Sequence, residues 1–200
     1  MTDELLATYS ARQHRFLQGH EKQIRDLAVK GQAPDVLFIG CADSRVTPEK
    51  LFDLAPGELF MMRNVANIVP PYWQTELSVA AVLEFAVQEL QVQHIVNCGH
   101  TDCGGMAALM DPPDPSRQPG LARWIDISRS LRSATLANQD PANQLRTLAE
   151  RNVVLQLNHL RSYPYIRHAE EAGRLTLHGW LYDLARPAVL TYDAESDSFQ

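Results

Sequence analysis

Apolar positions in residues 1–31 follow the spacing of a helix rather than that of a strand. They are Leu5, Leu6, Phe16, Leu17, Ile24, Leu27 and Ala28. Gly31 ends the pattern, and glycine commonly follows the last residue of a helix. We therefore predict one or two N-terminal helices over residues 1–31.

Three short apolar runs predict strands of a parallel sheet. Residues 35–40, 58–62 and 92–98 have the sequences DVLFIG, ELFMM and VQHIVNC, which are typical of strands buried on both faces. Between them, Pro48 opens a short helix, and residues 75–90 carry apolar side chains around most of a helical surface. We expect this second helix to be well buried. The alternation predicts an α/β fold, with a central, mainly parallel sheet flanked by helices.

The second half of the chain is predicted to be mostly helical. Helical spacing recurs over residues 121–136, 141–160 and 165–172. Residues 174–182 alternate like a strand, and residues 111–120 (DPPDPSRQPG) have the composition of a surface loop. Because no repeat or linker divides the sequence, we expect residues 1–200 to form a single domain.

Composition and charge argue against several classes of protein. The 200 residues are 45% hydrophobic and 21% charged, as in ordinary soluble proteins. A net charge of −6 without blocks of like charge disfavours nucleic acid or a membrane surface as partner. The N-terminus lacks the apolar core of a signal peptide, and no apolar run reaches the roughly 18 residues of a membrane span. Together with an odd count of 3 cysteines, these features predict a cytoplasmic protein.

Metal-binding residue types follow two of the predicted strands directly. Cys41 comes after the first strand, and His100 and Cys103 come after the third. Open α/β sheets bind their ligands at the carboxyl ends of their strands. Two cysteines and one histidine fill three tetrahedral positions of a zinc ion and leave the fourth free, which is typical of a catalytic site. The sequence therefore predicts a catalytic zinc site.

Asp43 and Arg45 lie on the same side of an extended chain as Cys41, because alternate residues share a face. Asp43 can then accept a hydrogen bond from water at the site, while Arg45 holds the carboxylate by a bidentate contact. Asp43 could instead occupy the fourth metal position itself and close the site. Each residue alone is more often structural, but their combination with flanking glycines such as Gly104 favours a metal site.

With these motifs in view, the sequence resembles the β-class carbonic anhydrases over most of its length. The matching segments are KGQ at 30–32, GCADSRV at 40–46, RNVANIVPPY at 63–72, LEFAVQEL at 83–90, NCGHTDCGGM at 97–106 and HGWLYD at 178–183. The order and spacing of the cysteine and histidine motifs are highly specific to that family.

This resemblance implies one Zn²⁺ per chain, bound by Cys41, His100 and Cys103, with Asp43 as a fourth ligand only in a closed state. It also implies reversible hydration of carbon dioxide to bicarbonate and a proton, through attack of a zinc-bound hydroxide that Asp43 and Arg45 orient. The implied fold has an N-terminal helical arm that packs on a neighbouring subunit. The implied assembly is a homodimer or a higher homo-oligomer built from dimers.

A substrate pocket formed by Gln32, Phe60, Val65 and Gly104 is also implied by the resemblance. Gln32 falls where plant-type members have a glutamine that donates to the substrate. Phe60 and Val65 fall where the family lines an apolar pocket, which suits a small nonpolar molecule such as carbon dioxide. Gln32 and the VPPY motif favour the plant-type, open site near neutral pH.

Some bacterial members of the family have a noncatalytic bicarbonate site built from a tryptophan, an arginine and a tyrosine. Here Arg63 and Tyr182 stand at matching positions, but Phe38 replaces the tryptophan. This replacement argues against a complete regulatory site. Ala42 replaces the serine of the usual CSDSR motif, and we expect its side chain to point away from the metal.

Other functions could use the same residues. A related zinc hydrolase could act on carbon disulfide or carbonyl sulfide, which are linear analogues of carbon dioxide. A noncatalytic zinc protein could bind bicarbonate, although Asp43, Arg45 and Gln32 argue against it, because a binding protein needs no pair that orients hydroxide. A redox role for Cys41 and Cys103 is a further alternative.

The remaining candidate residues are predicted to be structural. We expect Cys98 to pack in its strand, and Trp73, Trp124 and Trp180 to pack in the core or at subunit interfaces. We expect the histidines outside the motifs to lie on the surface. They are His14, His20, His94, His159, His168 and His178.

Overall fold

A six-stranded sheet forms the centre of the computed structural model, which describes residues 4–133 and 143–200. The strands are β1 (Val36–Cys41), β2 (Leu59–Asn64), β3 (His94–His100), β4 (Thr176–Asp183), β5 (Ala188–Asp193) and β6 (Ser198–Phe199). Their order across the sheet is β2-β1-β3-β4-β5-β6. The first four strands run parallel, and β5 and β6 are antiparallel to their neighbours. The predicted mainly parallel sheet is confirmed.

Helices flank this sheet. They are α1 (Glu4–Lys30), α2 (Pro48–Leu51), α3 (Leu77–Glu84), α4 (Gly104–Met110), α5 (Pro119–Ile125), α6 (Gln144–Arg161) and α7 (Pro164–Glu171). The N-terminal segment is one continuous helix, which ends where Gly31 adopts a φ of +82°. Residues 134–136 and 141–142 of the predicted helices lie outside the described residues. Within the described ranges, no helix combines the length and the apolar composition that crossing a membrane would require.

Side chains of β1 alternate between the two faces of the sheet. Leu37 and Ile39 pack with buried side chains of α3, α6 and α7, and Cys41 on the same face packs with α4 and α6. Phe38 points to the other face, where it meets Val96 of β3. The parallel strands thus carry a core on one face and deliver Cys41 to the carboxyl end of that face.

Helix α3 is less buried than its sequence pattern predicts. Leu83 is fully buried, but Leu77 is 84% exposed and Phe85, in the π-helical turn that continues α3, is 46% exposed. Trp73, just before the helix, is 75% exposed and so does not pack in the core of its own chain. The prediction of a well-buried helix is wrong for a single chain, because an apolar pattern does not reveal whether a second chain covers the surface.

The two antiparallel strands were not predicted. Their side chains are half-buried or exposed, so they lack the continuous apolar run of β1 and β3. An ion pair from Arg151 of α6 to Asp197 links this hairpin to the body of the protein, and Tyr192 of β5 donates to the same carboxylate within the hairpin. The hairpin extends the sheet beyond the predicted fourth strand.

Candidate metal centre

Cys41, His100 and Cys103 meet at one edge of the sheet. Cys41 is the last residue of β1, His100 is the last residue of β3, and Cys103 directly precedes α4. Because β1 and β3 are parallel neighbours, their carboxyl ends lie side by side. The three ligand atoms lie within 4.8 Å of one another, and all three residues are buried. The structure therefore brings together the ligands that the sequence predicts.

The geometry of the two thiols fits a tetrahedral metal ion. Cys41 Sγ and Cys103 Sγ are 4.0 Å apart, whereas a disulfide would need about 2.05 Å. Two thiolates that bind the same zinc ion at about 2.3 Å with a tetrahedral angle would lie about 3.8 Å apart. The observed separation is therefore close to that of a shared zinc ion.

The imidazole of His100 is oriented for ligation. Its Nδ1–H donates to the carbonyl of Thr101 at 2.8 Å, so Nε2 carries the free lone pair. Nε2 is buried and has no hydrogen-bond partner among the described residues. A buried acceptor without a partner is unfavourable, and a cation at the cluster would satisfy it.

The two cysteine thiols influence each other. The side chain of Cys103, with help from His100, lowers the pKa of the Cys41 thiol well below its usual range, although burial opposes this effect. The same contact and burial raise the pKa of Cys103. The cluster therefore favours one thiolate, and binding of a divalent cation would release the second proton.

Asp43 and Arg45 form a bidentate pair beside the cluster. Arg45 Nε donates to Asp43 Oδ1 at 3.0 Å, and Nη2 donates to Oδ2 at 2.8 Å. This guanidinium holds the pKa of Asp43 well below its usual range, so the carboxylate is ionised. Asp43 Oδ2 lies 3.9 Å from His100 Nε2. Arg45 also donates to the carbonyl of Asp102 at 3.0 Å and so links the two loops that carry the ligands.

Arg63 holds the backbone of the loop that carries the dyad. Its Nε donates to the carbonyl of Cys41 at 2.9 Å, and its Nη2 donates to the carbonyl of Asp43 at 2.7 Å. Phe38 and Tyr182 stand at the other two positions of the noncatalytic bicarbonate site that some bacterial members have. They pack together on the face of the sheet opposite to the one that carries Leu37, Ile39 and Cys41. The guanidinium of Arg63 is thus engaged with the metal loop.

Val65 and Gly104 lie next to the ligands. Val65 is 39% exposed and precedes Ala66, whose N–H donates to Cys41 Sγ at 3.4 Å. Gly104 directly follows Cys103 at the start of α4. A Cβ on the next residue, Gly105, would lie 2.6 Å from the Cβ of Ala66, so only glycine permits this close approach.

Gln32 and Phe60 lie away from the ligands of their own chain. Gln32 precedes β1, so it lies at the end of that strand opposite Cys41. Phe60 is four residues before Asn64, the residue of β2 that pairs with Cys41, and this offset corresponds to about 13 Å along a strand. The ring of Phe60 packs against Phe85, with centroids 5.7 Å apart. One chain therefore does not bring these two predicted pocket residues to its own ligands.

Three histidines predicted to lie on the surface are half-buried in polar contacts. His178 Nε2 and His94 Nδ1 are 3.1 Å apart across neighbouring strands, and His159 Nδ1 donates to the carbonyl of Val69 at 2.7 Å. The prediction is wrong for these residues because their partners lie far away in the sequence. Cys98 is buried as predicted, and burial raises the pKa of its thiol to about 12.

Sequence reasoning missed two buried polar side chains of α6. Asn152 and Gln156 are 1% and 0% exposed and contact the loop that follows β2. They lie on the same helical face as Leu148 and Leu160, so polar residues within an apolar stripe were the available signal.

Comparisons with known proteins agree with this geometry. The family model described as carbonic anhydrase matches residues 36–189. A carbonic anhydrase of Pseudomonas aeruginosa is 42% identical over 170 residues, which cover 84% of this chain and 77% of that protein. Carbonic anhydrase 1 of Escherichia coli O157:H7 is 34% identical over 198 residues, which cover 98% and 90% of the two proteins.

Solved structures of β-carbonic anhydrases share the fold. The β-carbonic anhydrase CcaA has a TM-score of 0.91 at 31% identity and covers 98% of this chain and 96% of its own. A tetrameric β-carbonic anhydrase of Sordaria macrospora has a TM-score of 0.81 at 31% identity, with 94% of each chain covered. The chain therefore belongs to the carbonic anhydrase family, and its structural neighbours place it among the β-class enzymes.

Proposed function

We propose that this enzyme catalyses the reversible hydration of carbon dioxide to bicarbonate and a proton, with one Zn²⁺ per chain held by Cys41, His100 and Cys103. The observation that carries the proposal is the ionised Asp43–Arg45 pair, in which Asp43 Oδ2 lies 3.9 Å from His100 Nε2, an atom without a hydrogen-bond partner in the described part of the chain. When bound, the zinc ion would act as a Lewis acid that makes water at the fourth position more acidic.

Asp43 would orient the nucleophile. An ionised carboxylate only accepts hydrogen bonds, so Asp43 could accept a hydrogen bond from water or hydroxide at the site and direct the oxygen lone pair toward carbon dioxide. Arg45 prevents Asp43 from rotating, because its guanidinium engages both carboxylate oxygens. This engagement supports an open resting site, since Asp43 could become a fourth ligand only if Arg45 released it.

Val65 and Gly104 would form the part of the substrate pocket that belongs to the same chain as the ligands. The side chain of Val65 offers a partly exposed apolar surface next to Cys41, which suits a small nonpolar substrate. Because Gln32 and Phe60 lie away from the ligands of their own chain, we assign them to the pocket of a second copy. The complete pocket would then form only in a homo-oligomer.

Exposed apolar residues support a homodimer or a higher homo-oligomer built from dimers. Helix α1 reaches the body of its own chain through contacts such as Gln23 Nε2 to the carbonyl of Pro56, yet Phe16 and Val29 are 50% and 86% exposed. We assign this helix as the arm that packs on a neighbouring subunit. A solved neighbour described as tetrameric is consistent with such an assembly.

We place the reaction in the cytoplasm, because Cys41 and Cys103 have to stay reduced to bind the metal. No specific contact favours carbon disulfide or carbonyl sulfide as the substrate. A noncatalytic bicarbonate-binding protein would have no use for the Asp43–Arg45 pair. Neither alternative is therefore proposed.

A stopped-flow assay with a pH indicator tests the proposal. We expect one zinc ion per chain, rapid hydration of carbon dioxide, loss of activity on chelation and recovery when zinc is returned. Carbon disulfide serves as the comparison substrate. A folded, zinc-loaded protein without hydration activity between about pH 7 and 9 would contradict the proposal.

A further inference from the structure

Side chains from across the fold hold the loop between β2 and α3. The six consecutive carbonyl groups of residues 65–70 each accept a hydrogen bond from a side chain, at 2.7–2.9 Å. The donors, in order along the loop, are Trp124, Asn152, Asn97, Asn64, His159 and Tyr163. We call residues 65–70 the buttressed loop.

The buttressed loop contains two residues in the left-handed backbone region. Ala66 has a φ of 63° and Asn67 has a φ of 48°. Non-glycine residues persist in this region only where their surroundings hold them there. In this conformation the N–H of Ala66 donates to Cys41 Sγ at 3.4 Å. The strained turn therefore delivers a hydrogen bond to a metal ligand.

Asn152 is the donor that acts on Ala66 itself. Its Nδ2 donates to the carbonyl of Ala66 at 2.9 Å. Its Oδ1 accepts from Ser128 Oγ at 3.0 Å and from Gln156 Nε2 at 2.8 Å, which fixes the orientation of the amide. Gln156 Oε1 in turn accepts from the N–H of Val69 at 2.9 Å. Ser128, Asn152 and Gln156 are no more than 1% exposed.

We infer that Asn152 is a positioning residue of the metal centre, because it holds Ala66 in the left-handed conformation that directs its N–H at Cys41 Sγ. A hydrogen bond to a ligand thiolate reduces the electron density that the sulfur donates to a metal. The metal then remains a stronger Lewis acid. This inference rests on the proposed metal-dependent function of the site, and it adds a residue of α6 that touches neither metal nor substrate.

Cobalt substitution measures this effect without relying on activity. Co²⁺ in the zinc site gives a sulfur-to-metal charge-transfer band, which moves to longer wavelength when the thiolate donates more strongly. Asn152→Leu removes the donor and keeps the number of side-chain heavy atoms and the branch at Cγ. We expect this variant to shift the band to longer wavelength and to lower kcat about tenfold with little change in KM, as loss of an outer contact to a metal ligand typically does.

Tyr163→Phe is the matched control. It removes the donor to the carbonyl of Pro70, in the same loop but four residues from Ala66. We expect it to lower stability while leaving the cobalt band and kcat unchanged. The inference is wrong if folded Asn152→Leu keeps the wild-type band, or if Tyr163→Phe shifts the band equally, because the loop would then be only structural.

A second variant keeps the test decisive if Asn152→Leu does not fold. Gly105→Ala places a Cβ against the side chain of Ala66 and should displace Ala66 from Cys41. We therefore expect the cobalt band to move to longer wavelength, as in Asn152→Leu. A wild-type band in Gly105→Ala would overturn the inference. The two proposals can fail separately. If the wild-type protein has no hydration activity but the cobalt band of Asn152→Leu is still shifted, the proposed function is contradicted and this inference is intact.

Discussion

The guanidinium of Arg45 donates to both carboxylate oxygens of Asp43, at 3.0 and 2.8 Å. The backbone N–H of Arg45 donates a third hydrogen bond to the same carboxylate, at 2.9 Å. Three donors from one residue hold one carboxylate beside the ligand cluster. The orientation of Asp43 is therefore fixed before any substrate enters.

Replacement of Asp43 by asparagine tests this orientation. An amide cannot accept hydrogen bonds from Arg45 at both of its terminal atoms, so Asp43→Asn should retain zinc but lower kcat by about 10² or more. Zinc content and stopped-flow hydration measure the two effects separately. Unchanged turnover in the zinc-loaded variant would refute the assigned role of Asp43.

Reactivity of the thiols distinguishes metal ligation from a redox function. Zinc should protect Cys41 and Cys103 from a thiol reagent, and chelation should make Cys41 reactive first, because its pKa is lowered whereas that of Cys103 is raised. Cys98 should react only after unfolding, because it is 1% exposed and burial raises its pKa to about 12. Cys98→Ala is the matched control, and it should leave the zinc-dependent protection unchanged. Rapid reaction of Cys41 in the zinc-loaded protein would contradict ligation.

Mixing two inactive variants tests whether the pocket is shared between copies. A hybrid of a Gln32→Ala chain and an Asp43→Asn chain contains one site with both residues intact if Gln32 serves the neighbouring subunit. Random assembly into dimers should then restore about a quarter of the wild-type activity. Each variant assembled alone is the control. No recovery in verified hybrids would mean that Gln32 acts within its own chain, and an active Gln32→Ala control would mean that Gln32 has no role.

Asp183 gives a prediction for the pH dependence of stability. The backbone N–H of Arg186 and the side chain of Arg146, with the N–H of Ala185, lower its pKa to about 2. Because the folded pKa is depressed, Asp183 stabilises the fold above the ordinary carboxyl pKa of about 3.9, and this contribution is lost as the pH falls toward 2. The free energy of unfolding of Asp183→Asn should be lower than that of the wild type at pH 7, and the two should converge below about pH 4.

Denaturant titrations at several pH values measure this difference. Asp111→Asn, which changes an exposed carboxylate in the loop after α4, is the control and should follow the wild type. If the free energies of unfolding of Asp183→Asn and the wild type differ by the same amount down to pH 2, the carboxylate charge is not the source of the difference.

Much of the site could be predicted from the sequence because its ligands follow the most buried strands. β1 and β3 lie between other strands and carry continuous apolar runs, and in a parallel sheet the residues after such strands share one edge. Cys41 and His100 were therefore predictable as neighbours although they are far apart in the sequence. The hairpin of β5 and β6 was not predictable, because its half-exposed residues alternate too weakly.

The buttressed loop could not be predicted for a different reason. Its carbonyl groups depend on donors such as Trp124, Asn152 and Tyr163, which are 59 to 93 residues away along the chain. Local patterns carry no information about such long-range partners. In the same way, the apolar pattern of α3 could not show that Leu77 is exposed to solvent in a single chain.

The last strand of the sheet is only two residues long, and this brevity bears on solubility. A long strand at the margin of a sheet offers unpaired backbone groups to other molecules and promotes aggregation. Because β5 pairs with the last four residues of β4, from Trp180 to Asp183, and β6 pairs in turn with β5, the outermost strand on that side is only two residues long. The C-terminal hairpin therefore limits the addition of foreign strands along the part of β4 that it covers.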